Sequence, residues 1–125
     1  AENGKPETAE QLDSHRVITF GEPVPSFLGD INYLARLGRN EKSPRSVALK
    51  VNSIYGMMQA ARAGIGIAML PDYAAEDEPE LVRILDHVEL PEFETYFVYP
   101  PALKNSKRVG VFRDFLVSKA RKWAY

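Results

Sequence analysis

Cysteine is absent from the 125 residues. Neither a disulfide framework nor a thiolate metal site can therefore be drawn, and a reducing compartment is compatible but not required. Histidine is scarce. His15 and His87 lie far apart and in no metal-ligand or triad spacing, so each is read as an ordinary surface or helix-end residue. No run of about 18 apolar residues occurs, and the first residues, Ala1 to Lys5, are polar; neither a membrane span nor an intact signal peptide is expected. A processed signal stays open. The first residue is not Met, which suggests an excised fragment or a trimmed chain.

A surplus of either charge is missing too. The net charge of −1 is too near zero for a domain whose main task is gripping phosphates along a duplex. The charge is nevertheless unevenly spread: residues 72–94 hold nine acids and one base, residues 104–125 seven bases and one acid. Those bases alternate with Val109, Phe112, Phe115 and Leu116, which favours the solvated face of a terminal helix over a nucleic-acid tail.

What is present fits one compact domain with a real core, since 45% of residues are hydrophobic and 26% charged. Thr8-Ala9-Glu10-Gln11 has the form of a capping box opening a short helix through Leu12. Val17 to Phe20 reads as a strand stopped by Gly21 and Pro23. Asp30 can cap a helix carrying Ile31, Leu34 and Ala35, with Gly38 placed to end it. Residues 39–46 are a polar connection. Val47 to Val51 is a second strand, after which Ile54, Met57, Met58 and Ala61 fall at helical spacing behind an Asn52-Ser53 cap. Gly64 ends that helix. Ile65 to Leu70 is almost wholly apolar, as in a strand covered on both faces. A short helix from Asp72 must stop before Pro79. Leu81 to Leu85 and Thr95 to Tyr99 read as strands, and a last helix runs from about Lys107 to Trp123 with Val109, Phe112, Leu116, Ala120 and Trp123 on one stripe, widened by Phe115. The alternation predicts an α/β fold, a largely parallel sheet flanked by helices.

In open parallel sheets the ligand crevice lies beyond the carboxyl ends of the strands. Three such ends lead into loops here: Phe20-Gly21-Glu22-Pro23, Val51-Asn52-Ser53-Ile54 and Leu70-Pro71-Asp72-Tyr73. Asn52 and Ser53 stand at a helix N-terminus, where free backbone N–H groups and the positive dipole end suit a small organic acid. The competing reading is that either residue only caps its own helix. Catalytic settings are poor. Ser26 and Ser53 lack a nucleophile elbow, Gly64-Ile65-Gly66 follows a helix rather than a strand, Glu76-Asp77-Glu78 lacks calcium-loop spacing, and Met57, Met58 and Met69 are more simply core. No catalytic residue, metal ligand or cofactor is expected.

Val51-Asn52-Ser53 followed by Ala63-Gly64-Ile65-Gly66-Ile67-Ala68-Met69-Leu70-Pro71 resembles the effector domain of LysR-type regulators. Leu12 to Arg16, Leu81 to Leu85, Phe97 to Pro100 and Phe112 to Leu116 are similar to further pieces of that pattern, in order, so the resemblance spans about residues 8–120. It implies a periplasmic-binding-protein-like half of type II: residues 1–103 as the distal subdomain and 104–125 as a helix that returns to a first subdomain. It further implies a cytoplasmic regulator, a homodimer or tetramer, that senses a small, anionic effector and reaches DNA only through an N-terminal winged helix-turn-helix lying ahead of this chain. Asn52, Ser53, Ile54, Gly21, Glu22 and Pro71 are its candidate effector-binding residues. The aromatic face of the last helix is expected to pair with another chain or pack atypically. The alternative is a fragment of a periplasmic solute-binding protein, which shares the fold but serves transport; an enzyme on an α/β scaffold ranks last.

Overall fold

A computed structural model describes residues 4–40, 43–92 and 95–121. The chain divides into two compact units, Ala1–Phe93 and Glu94–Tyr125.

The first unit is built on a three-stranded sheet of order β2-β1-β3, with β1 Val17–Phe20, β2 Val47–Val51 and β3 Ile67–Ala68. Both pairings are parallel: Ile18 faces Leu49 on one side and Ala68 on the other. All four residues of β1 are buried, as expected of a β-branched and aromatic strand with neighbours at both edges and cover on both faces. Strand alternation sends Val17 to one layer, with Leu12, Leu34, Leu37, Met69 and Leu85. Ile18 and Phe20 enter the other, with Leu28, Ile31, Met57 and Ala60. At the outer edge, β2 alternates half-buried and exposed residues and so has one covered face.

Helix α1, Ile54–Arg62, packs its buried residues Met57 and Ala60 in the layer with Ile18 and Phe20, and Met58 is buried as well. Met57 is fully enclosed, which is worth about 1.5–3 kcal/mol relative to exposure. The helix ends as its glycine predicts. Gly64 takes φ +71°, its N–H donates to Ala61 O at 2.9 Å, and the Ile65 N–H reaches Ala60 O at 3.0 Å. Two residues later glycine serves a different need: a Cβ on Gly66 would stand 2.5 Å from Arg16 O. Close approach of β3 to β1 depends on that missing atom. Helix α2, Asp72–Ala75, is a single turn.

Several expectations are corrected. The opening helix is a 3-10 turn, Glu10–Ser14. Its box is offset by one residue: Thr8 Oγ1 accepts from Gln11 N at 3.4 Å, but Gln11 Oε1 accepts from Glu7 N at 2.7 Å. Residues 30–38 form turns around a 3-10 segment, Tyr33–Ala35, not an α-helix. Groups that a helix would use are taken elsewhere. The buried Arg45 guanidinium donates to Leu34 O at 3.1 Å, Leu37 O at 2.5 Å and Ala9 O at 2.5 Å, and Asp30 pairs with Arg36 instead of capping. Gly38 does adopt a positive φ, +70°.

The strand foreseen over Ile65 to Leu70 shrinks to Ile67–Ala68, half-buried rather than covered on both faces. The Asn32 carboxamide explains where the ladder stops: its Oδ1 accepts from Phe20 N at 2.8 Å and its Nδ2 donates to Phe20 O at 3.1 Å. Beyond Ile18 and Ala68, a side chain thus stands in for the third strand. Leu81 to Leu85 is not a strand either. It begins in a turn closed by Leu81 N to Glu78 O and ends at Leu85 with φ +57°, Leu85 buried in the core and Ile84 packed against it.

In the second unit, Thr95 to Tyr99 also forms no strand. The Phe97 ring instead lies edge-on to Phe112 at 5.7 Å and tilted against Tyr99 at 5.6 Å. Helix α3, Lys107–Ala120, carries the foreseen stripe, with Phe112 and Phe115 each about half exposed. Trp123, assigned to that stripe, lies outside the described residues.

Candidate functional site

Because the three strands are parallel, their carboxyl ends open on one edge of the sheet, and the chain leaves each end through one of the predicted loops. Two of those loops are in direct contact. Gly21 N donates to Val51 O at 3.3 Å, which carries the β1–β2 pairing one residue past the strand. The Asn52 side chain then lies over Gly21 so closely that a Cβ there would fall 1.6 Å from Asn52 Oδ1. Gly21 is buried while Asn52 is exposed, so the carboxamide rests on a glycine floor within reach of solvent.

Ser53 is the N-cap of α1. Its Oγ accepts from Gly56 N at 3.2 Å and its carbonyl from Met57 N at 2.9 Å. The capping reading is therefore correct for Ser53, but capping leaves capacity. Helix geometry gives the N–H groups of Ile54 and Tyr55 no intrahelical acceptor, and they stand beside the Asn52 carboxamide in sequence at the positive end of the helix. An oxyanion is the ligand such a turn accepts most readily.

The remaining predicted residues take different positions. Glu22 points its carboxylate at Lys50 Nζ, 3.6 Å away, with both side chains exposed; the Glu22–Pro23 peptide is cis. Ile54 is half-buried on the first turn of α1. Pro71 is buried just past β3, its carbonyl accepting from Ala74 N at 2.9 Å to start α2. It can shape a wall, whereas Asn52 offers polar atoms.

Two residues near this edge escaped the sequence reading. Asn32 holds both backbone groups of Phe20, the residue before Gly21, and so sets the end of β1. Lys50 supplies a cation one strand away from Glu22. Neither has a local signature, because Asn32 acts across twelve positions and Lys50 is one exposed residue on an edge strand. Among the described residues, no group of three or more His, Asp or Glu side chains could hold a metal ion, and no helix is long and apolar enough to cross a membrane.

Comparison with known proteins decides the family. The sequence model of the LysR substrate binding domain matches residues 1–121. The chain belongs to the LysR substrate-binding domain family. The parallel sheet flanked by helices is what that family's type II periplasmic-binding-protein-like fold requires, and membership makes this LysR domain an effector-sensing module. A curated relative, described as an uncharacterized HTH-type transcriptional regulator of Haemophilus influenzae, is 26% identical over 102 residues. The match takes in 78% of this chain but only 34% of the relative, so the LysR domain spans about a third of that protein. No solved structure matches the chain significantly. Both findings favour the regulator over the solute-binding alternative.

Proposed function

We propose that this LysR domain binds a small organic acid at the Asn52-Ser53 turn and releases it unchanged, serving a DNA-binding regulator as its sensor. The observation that carries the reading is the packing of Asn52 over Gly21 at the N-terminus of α1. That packing joins two strand-end loops into one surface that holds an exposed carboxamide beside a helix's first N–H groups. Glu22, Ile54 and Pro71 border it. Residues 1–103 act as the distal subdomain and 104–125 as the helix that returns to a first subdomain, the effector lying between the two.

In the full-length protein, a cytoplasmic homodimer or tetramer, effector binding favours one arrangement of the subdomains. That bias reaches an N-terminal winged helix-turn-helix only through the difference in effector affinity between arrangements. The 26% identity to an HTH-type regulator supports this layout.

The test is a screen of small mono- and dicarboxylates against the full-length regulator, read as a change in operator affinity. Gly21→Ala then probes the turn. The new Cβ displaces only the exposed Asn52 side chain, so stability should change by less than about 1 kcal/mol while affinity for the responding acid falls about tenfold. A full response by Gly21→Ala, or no response of the parent protein to any acid, would sink the proposal.

A further inference from the structure

A second concavity adjoins the strand-end turn at Ile54 and extends away from it along α1. Helices α1 and α2 diverge to leave a groove of about 370 Å³ lined by Ile54, Tyr55, Met58, Tyr73, Asp77 and Glu78, among others. Its volume is within the range of small-molecule sites. Met58 is buried and forms an apolar floor, whereas the rings of Tyr55 and Tyr73 remain 67% and 57% exposed. Two large aromatic side chains held on neighbouring helices, over a methionine and with no cover, offer π-faces to a ligand.

The charge at one end of the groove has a definite sign. Arg62 is the cation there, and it is already engaged: Glu80 accepts from its Nη2 at 2.5 Å and Glu78 lies 3.4 Å from its Nε. Asp77 has no ion-pair partner among the described residues. Three carboxylates against one guanidinium leave this end two charges negative. The imbalance continues along the segment 72–94, with its nine acids and one base. Aromatic faces beside uncompensated carboxylates are the elements that recognise organic cations, because the ring quadrupole and the carboxylate attract the same ammonium group while the floor takes its hydrocarbon part.

We infer that the α1–α2 groove is a second ligand site, for an organic ammonium ion with an aromatic or short aliphatic body, next to the anion-accepting turn at Asn52 and sharing Ile54 with it. The ammonium group sits at Asp77, and the body lies on Met58 between Tyr55 and Tyr73. Occupancy would clamp the first turn of α1, since Ile54 lines the groove and directly follows Ser53. The site does not depend on the organic-acid reading and can fail or stand alone.

Phenethylammonium is a suitable probe, with phenylacetate and 2-phenylethanol as anionic and neutral isosteres. Titrated into the intact chain and followed by the NMR signals of the Tyr55 and Tyr73 rings, the amine should saturate and bind at least tenfold more tightly than either isostere. Asp77→Asn should weaken it about three- to fivefold, the range of an exposed ion pair. Asp77→Lys should remove saturable binding. Both substitutions are at an exposed position, and an unchanged spectrum away from the groove will show that the fold is intact. Equal binding of the three probes, shifts that bypass the two tyrosines, or an amine affinity indifferent to Asp77→Lys would each overturn the inference. So would concentration-dependent self-association that Asp77→Lys abolishes, because the groove would then belong to a second copy of the chain.

Discussion

Asn32 and Arg45 show how much of this fold is carried by single polar side chains. With leucine in place of Asn32, shape is nearly kept but the Phe20 N–H and C=O lose both partners at a buried strand end. Asn32→Leu should therefore cost about 1–3 kcal/mol, read as a lower midpoint in urea unfolding at unchanged slope. Arg45 reaches further, fastening Ala9 to the 34–37 turn, and its Nε lies 2.7 Å from Asp13 Oδ1. Asp13 also accepts two hydrogen bonds from Arg39, at 3.0 and 2.7 Å. Those bonds, with the nearby Arg39 and Arg45 charges, hold its carboxyl below the ordinary value of 3.8 against a smaller opposing effect of burial. A depressed carboxylate stabilises the fold above its unfolded-state pKa and ceases to do so as pH falls through the folded-state value. The Asp13 contribution should thus be constant at neutral pH and disappear only below about 3.8. An NMR titration should place its midpoint under that value, and Arg39→Gln should raise it; a midpoint at or above 3.8 in the parent protein would contradict the assignment.

At the level of elements, the α1–β3 junction separates two uses of glycine. A Cβ on Gly64 meets nothing within 4 Å, so Gly64→Ala bears only the strain of φ +71°, about 1 kcal/mol. The Gly66 position is crowded by the Arg16 carbonyl, a backbone atom that cannot swing aside. Gly66→Ala should cost more than Gly64→Ala and should loosen β3, seen as faster hydrogen exchange at Ile67 N, which donates to Arg16 O at 2.8 Å. Equal losses in the two variants would show that conformational strain, not contact, governs the junction. The elements legible in the sequence were those closed by local signals: β1, β2, the Ser53 cap, α1 with its glycine end, and α3. Leu81 to Leu85 and Thr95 to Tyr99 carried an equally strong β composition, yet composition supplies no partner edge.

On the scale of the molecule, each buried cluster among the described residues is drawn from the first unit, one with members from Ala9 to Val88 and the other from Ile18 to Leu70. A chain ending at Phe93 should therefore fold with the unfolding midpoint of the intact first unit, and circular dichroism with urea can test this. A molten product would show that the second unit stabilises the first.

The order of residues was enough to settle the α/β class, the family and the three loops at the sheet edge, because periodicity, capping and glycine placement act within a few positions along the chain. Only the tertiary structure could decide that Asn52 rests on Gly21, that Asn32 replaces the third strand beside Phe20, and that α1 and α2 leave an acidic aromatic groove. Each of those depends on which backbone atoms come within a few ångströms across long separations in sequence, a distance that no local pattern encodes.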